Sequence, residues 1–417
     1  MNEIMAIWAD WLRPSAGLPT VQWSILLAVA AAVGHLVQRH TGVPKVVGYS
    51  ITGALAGLAG FSGGAWPLDG IALFLLELGV SVVLFEAGGR LALRWLRHNP
   101  MVLVQSLAET ALTALLVYHA LRMFDVWWRV AEALALVAVA ASPAVLSRVV
   151  MDTRASGPVT ERALALTTLS TLYALTLVNA RAGVMHRGTA ELGETLFPVL
   201  VVLGVSFVVG AVLALVLRMA LRFMSPTSEN TSMLLIATIA AATAVGSHFG
   251  GSAPLAALLG GLILKQLNPR PWAWPRQLGT ASSLLTMLMF VLVSVVAAKA
   301  PWNHAVIGLV AVMVLARAFA KIAGVSAATW GSGTNLTQAF WTGCTLSPMS
   351  SIALLLVSQY AATAPVLAAP ITSIALPAIL LMEVLGAMLA TFALHRARET
   401  SLADAPEGPV AMREARG

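Results

Sequence analysis

Apolar blocks of about 17–25 residues recur along the whole chain, and they leave only one fold class open. At a 1.5 Å rise per residue, a helix of about 20 residues crosses the ~30 Å hydrocarbon core of a bilayer. Inside lipid a lone apolar segment satisfies its backbone hydrogen bonds only as a helix. Composition agrees: 59% of the 417 residues are hydrophobic and 10% are charged, more apolar surface than a water-soluble domain can hide. The expectation is an all-α polytopic membrane protein of about 13 transmembrane helices.

The spans are predicted at 21–38, 46–61, 71–89, 101–121, 130–150, 163–180, 196–217, 231–247, 253–267, 280–298, 303–325, 335–357 and 366–394. Stretches such as SGGAWPLDG and NPRPWAWPRQ punctuate them, and Trp23, Trp66, Trp95, Trp127, Trp128 and Trp302 stand at span edges, where an aromatic belt is expected. A net charge of +7 does not point to nucleic acid, because the basic residues are scattered singly among the loops. They serve instead to set orientation. An odd number of spans puts the termini on opposite sides. With the N-terminus periplasmic, 19 of the 25 basic residues fall on the cytoplasmic side of a bacterial inner membrane, where the C-terminus also lies.

Residues 1–20 carry Glu3 and Asp10 and no basic stretch, so they read as an interfacial segment with Trp8 and Trp11 at the headgroups rather than a cleavable signal. Residues 21–394 are expected to form one transmembrane domain, and residues 395–417 a disordered cytoplasmic tail. The one cysteine, Cys344, excludes an intrachain disulfide.

Two spans carry matching proline breaks. AASPAVLSRVV holds Ser142-Pro143 and TLSPMSSIALL holds Ser347-Pro348. Proline frees backbone carbonyls inside a membrane helix. The two breaks are seven spans apart, so the segments cross in opposite directions, as in transporters built from inverted repeats, whose sites lie where interrupted helices meet.

The segment SILLAVAAAVGHLVQRHTGVPKVVGYSITGALAGL resembles the first two helices of the monovalent cation:proton antiporter superfamily, the sodium/hydrogen exchanger and Kef-like proteins. LELGVSVVLFEAGGRLALRWLR, GGSAPLAALLGGLILKQ, LARAFAKIAGV and LMEVLGAMLATFALHRARE are similar to later segments of the same superfamily, in order, over nearly all of residues 21–398. The resemblance implies the sodium/proton antiporter-like fold with two crossed broken helices, a core from spans within 101–180 and 303–394, and a dimerisation part from 21–89 and 196–298, hence a homodimer in the lipid bilayer. It also implies exchange of Na⁺ or K⁺ for protons, with no cofactor and no enzymatic activity.

The chain departs from that pattern where the superfamily places an Asn-Asp or Asp-Asp pair. A carboxylate at membrane depth lets proton and cation compete for one site. The matching segment here is LALTTLSTLYALTLVNA, with Leu172 and Tyr173 at the two positions and no acid between Glu161 and Glu191. Tyr173 could still line the cavity, and Ser142, Thr167, Thr168, Ser170, Thr171 and Ser347 offer neutral oxygens, with helix packing as their alternative role. Glu77 and Glu132 lie near span ends, and Glu86 is placed to pair with Arg90 four residues on. Glu109 and Glu383 remain as carboxylates that can titrate, and Arg317 and Lys321, one turn apart, are the available countercharges unless they reach the surface. His119, His248 and His304 stand near outer span ends, and nothing reads as a metal cluster or nucleophile motif. Two other readings stay open: transport of another small solute with Arg317 as counterion, or a non-transporting subunit or sensor.

Overall fold

The computed structural model describes residues 18–61, 66–91, 93–185, 192–225, 228–268 and 276–400, and among them there is no strand. The expected interfacial segment therefore lies outside the described residues as far as residue 17, and the expected tail lies outside them from residue 401. The helices are α1 (Leu18–Thr41), α2 (Lys45–Leu58), α3 (Gly70–Arg90), α4 (Leu93–His98), α5 (Met101–Met123), α6 (Trp128–Val139), α7 (Pro143–Thr153) and α8 (Pro158–Met185). They continue as α9 (Leu192–Phe223), α10 (Glu229–His248), α11 (Ala253–Leu267), α12 (Arg276–Ala298), α13 (His304–Ala327), α14 (Leu336–Thr345), α15 (Ser351–Thr363) and α16 (Pro365–Arg396).

Among the described residues nine helices are long and apolar enough to cross a membrane, counting α6 with α7 as one. α11, α15 and the Ser282–Ala298 part of α12 are shorter apolar helices. Every expected span falls on a helix or on two successive helices. The two spans with Ser-Pro steps are the interrupted ones, at Ala140–Ser142 between α6 and α7 and at Leu346–Ser350 between α14 and α15.

The helices pack in two groups. α2 lies against α1 and α12, while α3, α9 and α10 surround α11. In the second group α5 packs on α13, and α16 lies against α13, α14 and α15. α16 also touches α2 and α12, which places one of its faces on the seam between the groups. Close approach needs missing side chains at two points. A Cβ on Gly324 of α13 would lie 2.4 Å from the Glu109 Cα of α5, and one on Gly386 of α16 would lie 2.7 Å from the Pro348 Cα in the second break.

The chain after α16 corrects one expectation. Residues 395–400, expected to begin a disordered tail, are held against the start of α8. The Glu399 carboxylate accepts hydrogen bonds from the Val159 N–H (2.8 Å), the Thr160 N–H (2.7 Å) and the Thr160 hydroxyl (2.7 Å). The first amides of a helix have no partner within it and carry its positive dipole end, so an acid there is ordered by what it satisfies.

Candidate functional site

The two breaks meet. Ser142 N–H in the first donates to the Pro348 carbonyl in the second at 3.1 Å. Four half-helix ends converge there, and each brings backbone groups that lack an intrahelical partner and about half a unit charge. The C-terminal ends of α6 and α14 present carbonyls, and Arg317 of α13 gathers them. Its Nε donates to Ala138 O (2.8 Å), its Nη2 to Ala140 O (2.8 Å) and Leu346 O (3.4 Å), and its Nη1 to Ser347 O. The guanidinium is wholly buried, and a planar fork is the one cationic shape that can reach both breaks at once. The N-terminal end of α7 is capped by the Ser142 hydroxyl, which accepts from the Val145 N–H at 3.4 Å, with Pro143 as the first helical residue.

Lys321, one turn along α13, donates to both oxygens of Glu109 at 2.8 and 3.0 Å and to the Val139 carbonyl at 2.8 Å. Ser170 of α8 donates to the same carboxylate. Neither Glu109 nor Lys321 has any exposure, so neither snorkels and neither is a free charge. Arg317 and Lys321, both among the 19 basic residues counted to the cytoplasmic side, are thus interior groups. Lys321→Met is expected to cost about 3–5 kcal/mol, because it strands an unpaired charge, and Glu109→Gln with Lys321→Met is expected to recover most of that. Thermal unfolding in detergent checks this; equal losses in single and double variants would show that the pair is not coupled.

Glu383 differs from Glu109. It lies in the middle of α16, is fully buried, and accepts hydrogen bonds from three hydroxyls: Ser50 of α2 (2.5 Å), Ser294 of α12 (2.9 Å) and Ser350 in the second break. Among the described residues it forms no salt bridge. Ser350 is the residue before α15, so the carboxylate stands by that helix's positive end. Ser50, Ser294 and Ser350 escaped the sequence reading. The signal available was an isolated hydroxyl within an apolar helix, as in the FVLVSVVAA run around Ser294.

The other expected residues divide. Thr171 reaches the first break, its hydroxyl 3.1 Å from Ala141 O and 2.8 Å from Thr167 O, so Thr171 is the α8 residue at the crossing. Tyr173 packs against an apolar cluster that includes Leu91, Leu96, Leu166 and, from the second break, Leu346. The Ser347 hydroxyl is buried at the crossing with no hydrogen-bond partner among the described residues. Glu86 pairs with Arg90 (2.5 Å), Glu132 with Arg181 (2.7 Å), and Glu77 accepts from Ser247 (3.2 Å), so these acids are bound near helix ends. His119, His248 and His304 are exposed. Among the described residues no three His, Cys, Asp or Glu side chains are grouped to hold a metal.

A cavity of about 340 Å³ opens between α3 and the α7–α8 pair, lined by Arg90, Trp95, Pro143, Ser147, Glu161 and Thr168 among others. A smaller one of about 50 Å³ shares Ser147 and extends towards Arg148 and Ser283. Arg90 and Glu161 give the larger cavity charged lining, and Pro143 brings it to the first break.

The comparisons with known proteins agree with this geometry. The family model described as sodium/hydrogen exchanger, transmembrane, matches residues 25–395. No curated protein matches the chain. Among solved structures, that of the sodium proton antiporter MjNhaP1 from Methanocaldococcus jannaschii at pH 8 is similar, with a TM-score of 0.71, 15% identity, and coverage of 91% of this chain and 98% of that one. An electron-microscopy structure of the same antiporter gives a TM-score of 0.70, 15% identity, and coverage of 93% and 96%.

Proposed function

The chain belongs to the sodium/hydrogen exchanger family, whose members are membrane transporters rather than enzymes, and on that premise we propose that it exchanges Na⁺ or K⁺ for protons by alternating access at Glu383. One observation carries the reading: Glu383 is a fully buried carboxylate that faces three hydroxyls and, among the described residues, no fixed cation. A bare carboxylate is costly at that depth, so it is neutralised by what it binds. A proton does this, and so does a monovalent cation. A hydroxyl serves both states, since it donates to the carboxylate and, turned about its C–O bond, offers lone pairs to a cation. Glu109 cannot take this part while Lys321 neutralises it.

In the proposed cycle the cavity beside Arg90 and Glu161 admits the cytoplasmic ion. α5–α8 and α13–α16 then move as a core against α1–α3 and α9–α12, which form the dimerisation part of a homodimer. The N-terminus is periplasmic and the C-terminus cytoplasmic in a bacterial inner membrane. Transport of another solute with Arg317 as counterion loses its ground, because each nitrogen of that side chain is committed to a carbonyl. The test is a proteoliposome assay. Added Na⁺ or K⁺ is expected to dissipate an imposed pH gradient, and a gradient unmoved by either cation between about pH 6 and 9 would sink the proposal.

A further inference from the structure

We propose that Ser50 and Ser294 are one-sided ligands: they complete the Glu383 site in the conformation seen here and are left behind when the core moves, so the exchanged cation is held more tightly at one membrane face than at the other. This rests on the reading of Glu383 as the exchange site and adds which residues give that site its sidedness.

The argument is geometric. Glu383 and Ser350 belong to the same helix group, since α16 packs along α14 and α15 and Gly386 touches Pro348 in the second break. Ser50 and Ser294 belong to the other group, on two helices that pack tightly on each other: a Cβ on Gly53 of α2 would lie 2.7 Å from Val291 O of α12. The site is therefore shared across the seam. Two of its three hydroxyls stay with α2 and α12, and one travels with the carboxylate.

The same two helices are gripped at a second level by the same moving group. Asp152 of α7 accepts from the Lys45 N–H at the start of α2 (3.1 Å), and Arg148 donates to Ser283 of α12 (2.9 Å). A shift of even one helical turn, about 5.4 Å, carries every one of these bonds beyond hydrogen-bonding distance. After such a shift Glu383 keeps Ser350 and loses Ser50 and Ser294. A cation bound there loses two oxygen ligands at the same moment, which favours its release on the far side.

The experiment measures initial rates of cation-driven gradient collapse in everted and in right-side-out membrane vesicles, with cation added to one face at a time. Ser50→Ala/Ser294→Ala is expected to raise KM several-fold at the Arg90–Glu161 face and to leave KM at the opposite face within about twofold. Ser350→Ala, which removes the ligand that moves with Glu383, is expected to raise KM at both faces. Single Ser50→Ala and Ser294→Ala variants give intermediate one-sided shifts if the double variant accumulates poorly. An equal rise at both faces in Ser50→Ala/Ser294→Ala, or no rise at either, overturns the two-group assignment while Glu383→Gln remains inactive. A wild-type chain without cation-driven collapse, or an active Glu383→Gln, overturns the exchange site itself and this inference with it.

Discussion

Glu383→Gln is expected to reduce cation-driven proton exchange to background and to leave the protein as stable as before, or more so. The two halves of that statement come from the same geometry. Glutamine matches glutamate in shape: its amide oxygen can accept from Ser50 and Ser294, which share one carboxylate oxygen, and its NH2 can donate to the Ser350 hydroxyl once that hydroxyl turns to accept. It cannot take up and release a proton, and it carries no charge for a cation to balance. Replacing a buried charge that has no ionic partner removes a desolvation cost, so unfolding in detergent should change by no more than about 1–2 kcal/mol, or rise. Glu383→Asp is the graded counterpart. It keeps the charge but draws the carboxylate back from α2 and α12, so exchange should persist with a raised KM. Full activity in Glu383→Gln would move the exchange site elsewhere. Loss of both activity and stability would make Glu383 a structural acid.

The sequence made the scaffold legible because its signals are local and periodic. Apolar blocks mark helices, and the Ser142-Pro143 and Ser347-Pro348 steps mark both interruptions, since proline removes a donor wherever it falls. The one-turn spacing of Arg317 and Lys321 put both on one face, and the structure brings that face to the crossing. What stayed hidden was long-range. The hydrogen bond from Ser50 to Glu383 joins residues 333 apart, and no periodicity within α2 announces it. The register of α8 was hidden for a different reason: the helix is buried on several sides, with hydroxyls at Thr167, Thr168, Ser170 and Thr171, so a 3.6-residue period does not choose a face. Alignment put Leu172 and Tyr173 at the positions of the acid pair and left Thr171 as one hydroxyl among several; packing brings Thr171 to the break. Glu399 was read as tail because its partners, the first amides of α8, are backbone groups that no side-chain pattern reveals.

Arg317→Met is expected to prevent accumulation of folded protein. Methionine fills much of the same space, so the loss is one of hydrogen bonds and charge rather than volume. Ala138, Ala140 and Ser347 would keep carbonyls in a fully buried site with the guanidinium gone. A buried polar group left without its partner costs about 1–3 kcal/mol, so three of them approach the whole stability of an ordinary domain. The negative ends of α6 and α14 would also face each other with only Lys321 nearby, and Lys321 is already engaged by Glu109 and Val139. Arg317→Lys separates charge from shape. An ammonium restores the positive charge but offers three donors from one point, and it cannot span both breaks as the planar fork does. It should therefore yield folded but destabilised protein with impaired exchange, whereas a charge-only role would let lysine restore wild-type stability. Size-exclusion profiles and thermal unfolding of the detergent-solubilised variants separate these outcomes, and a stable, monodisperse Arg317→Met protein would show that the broken helices hold together without the arginine.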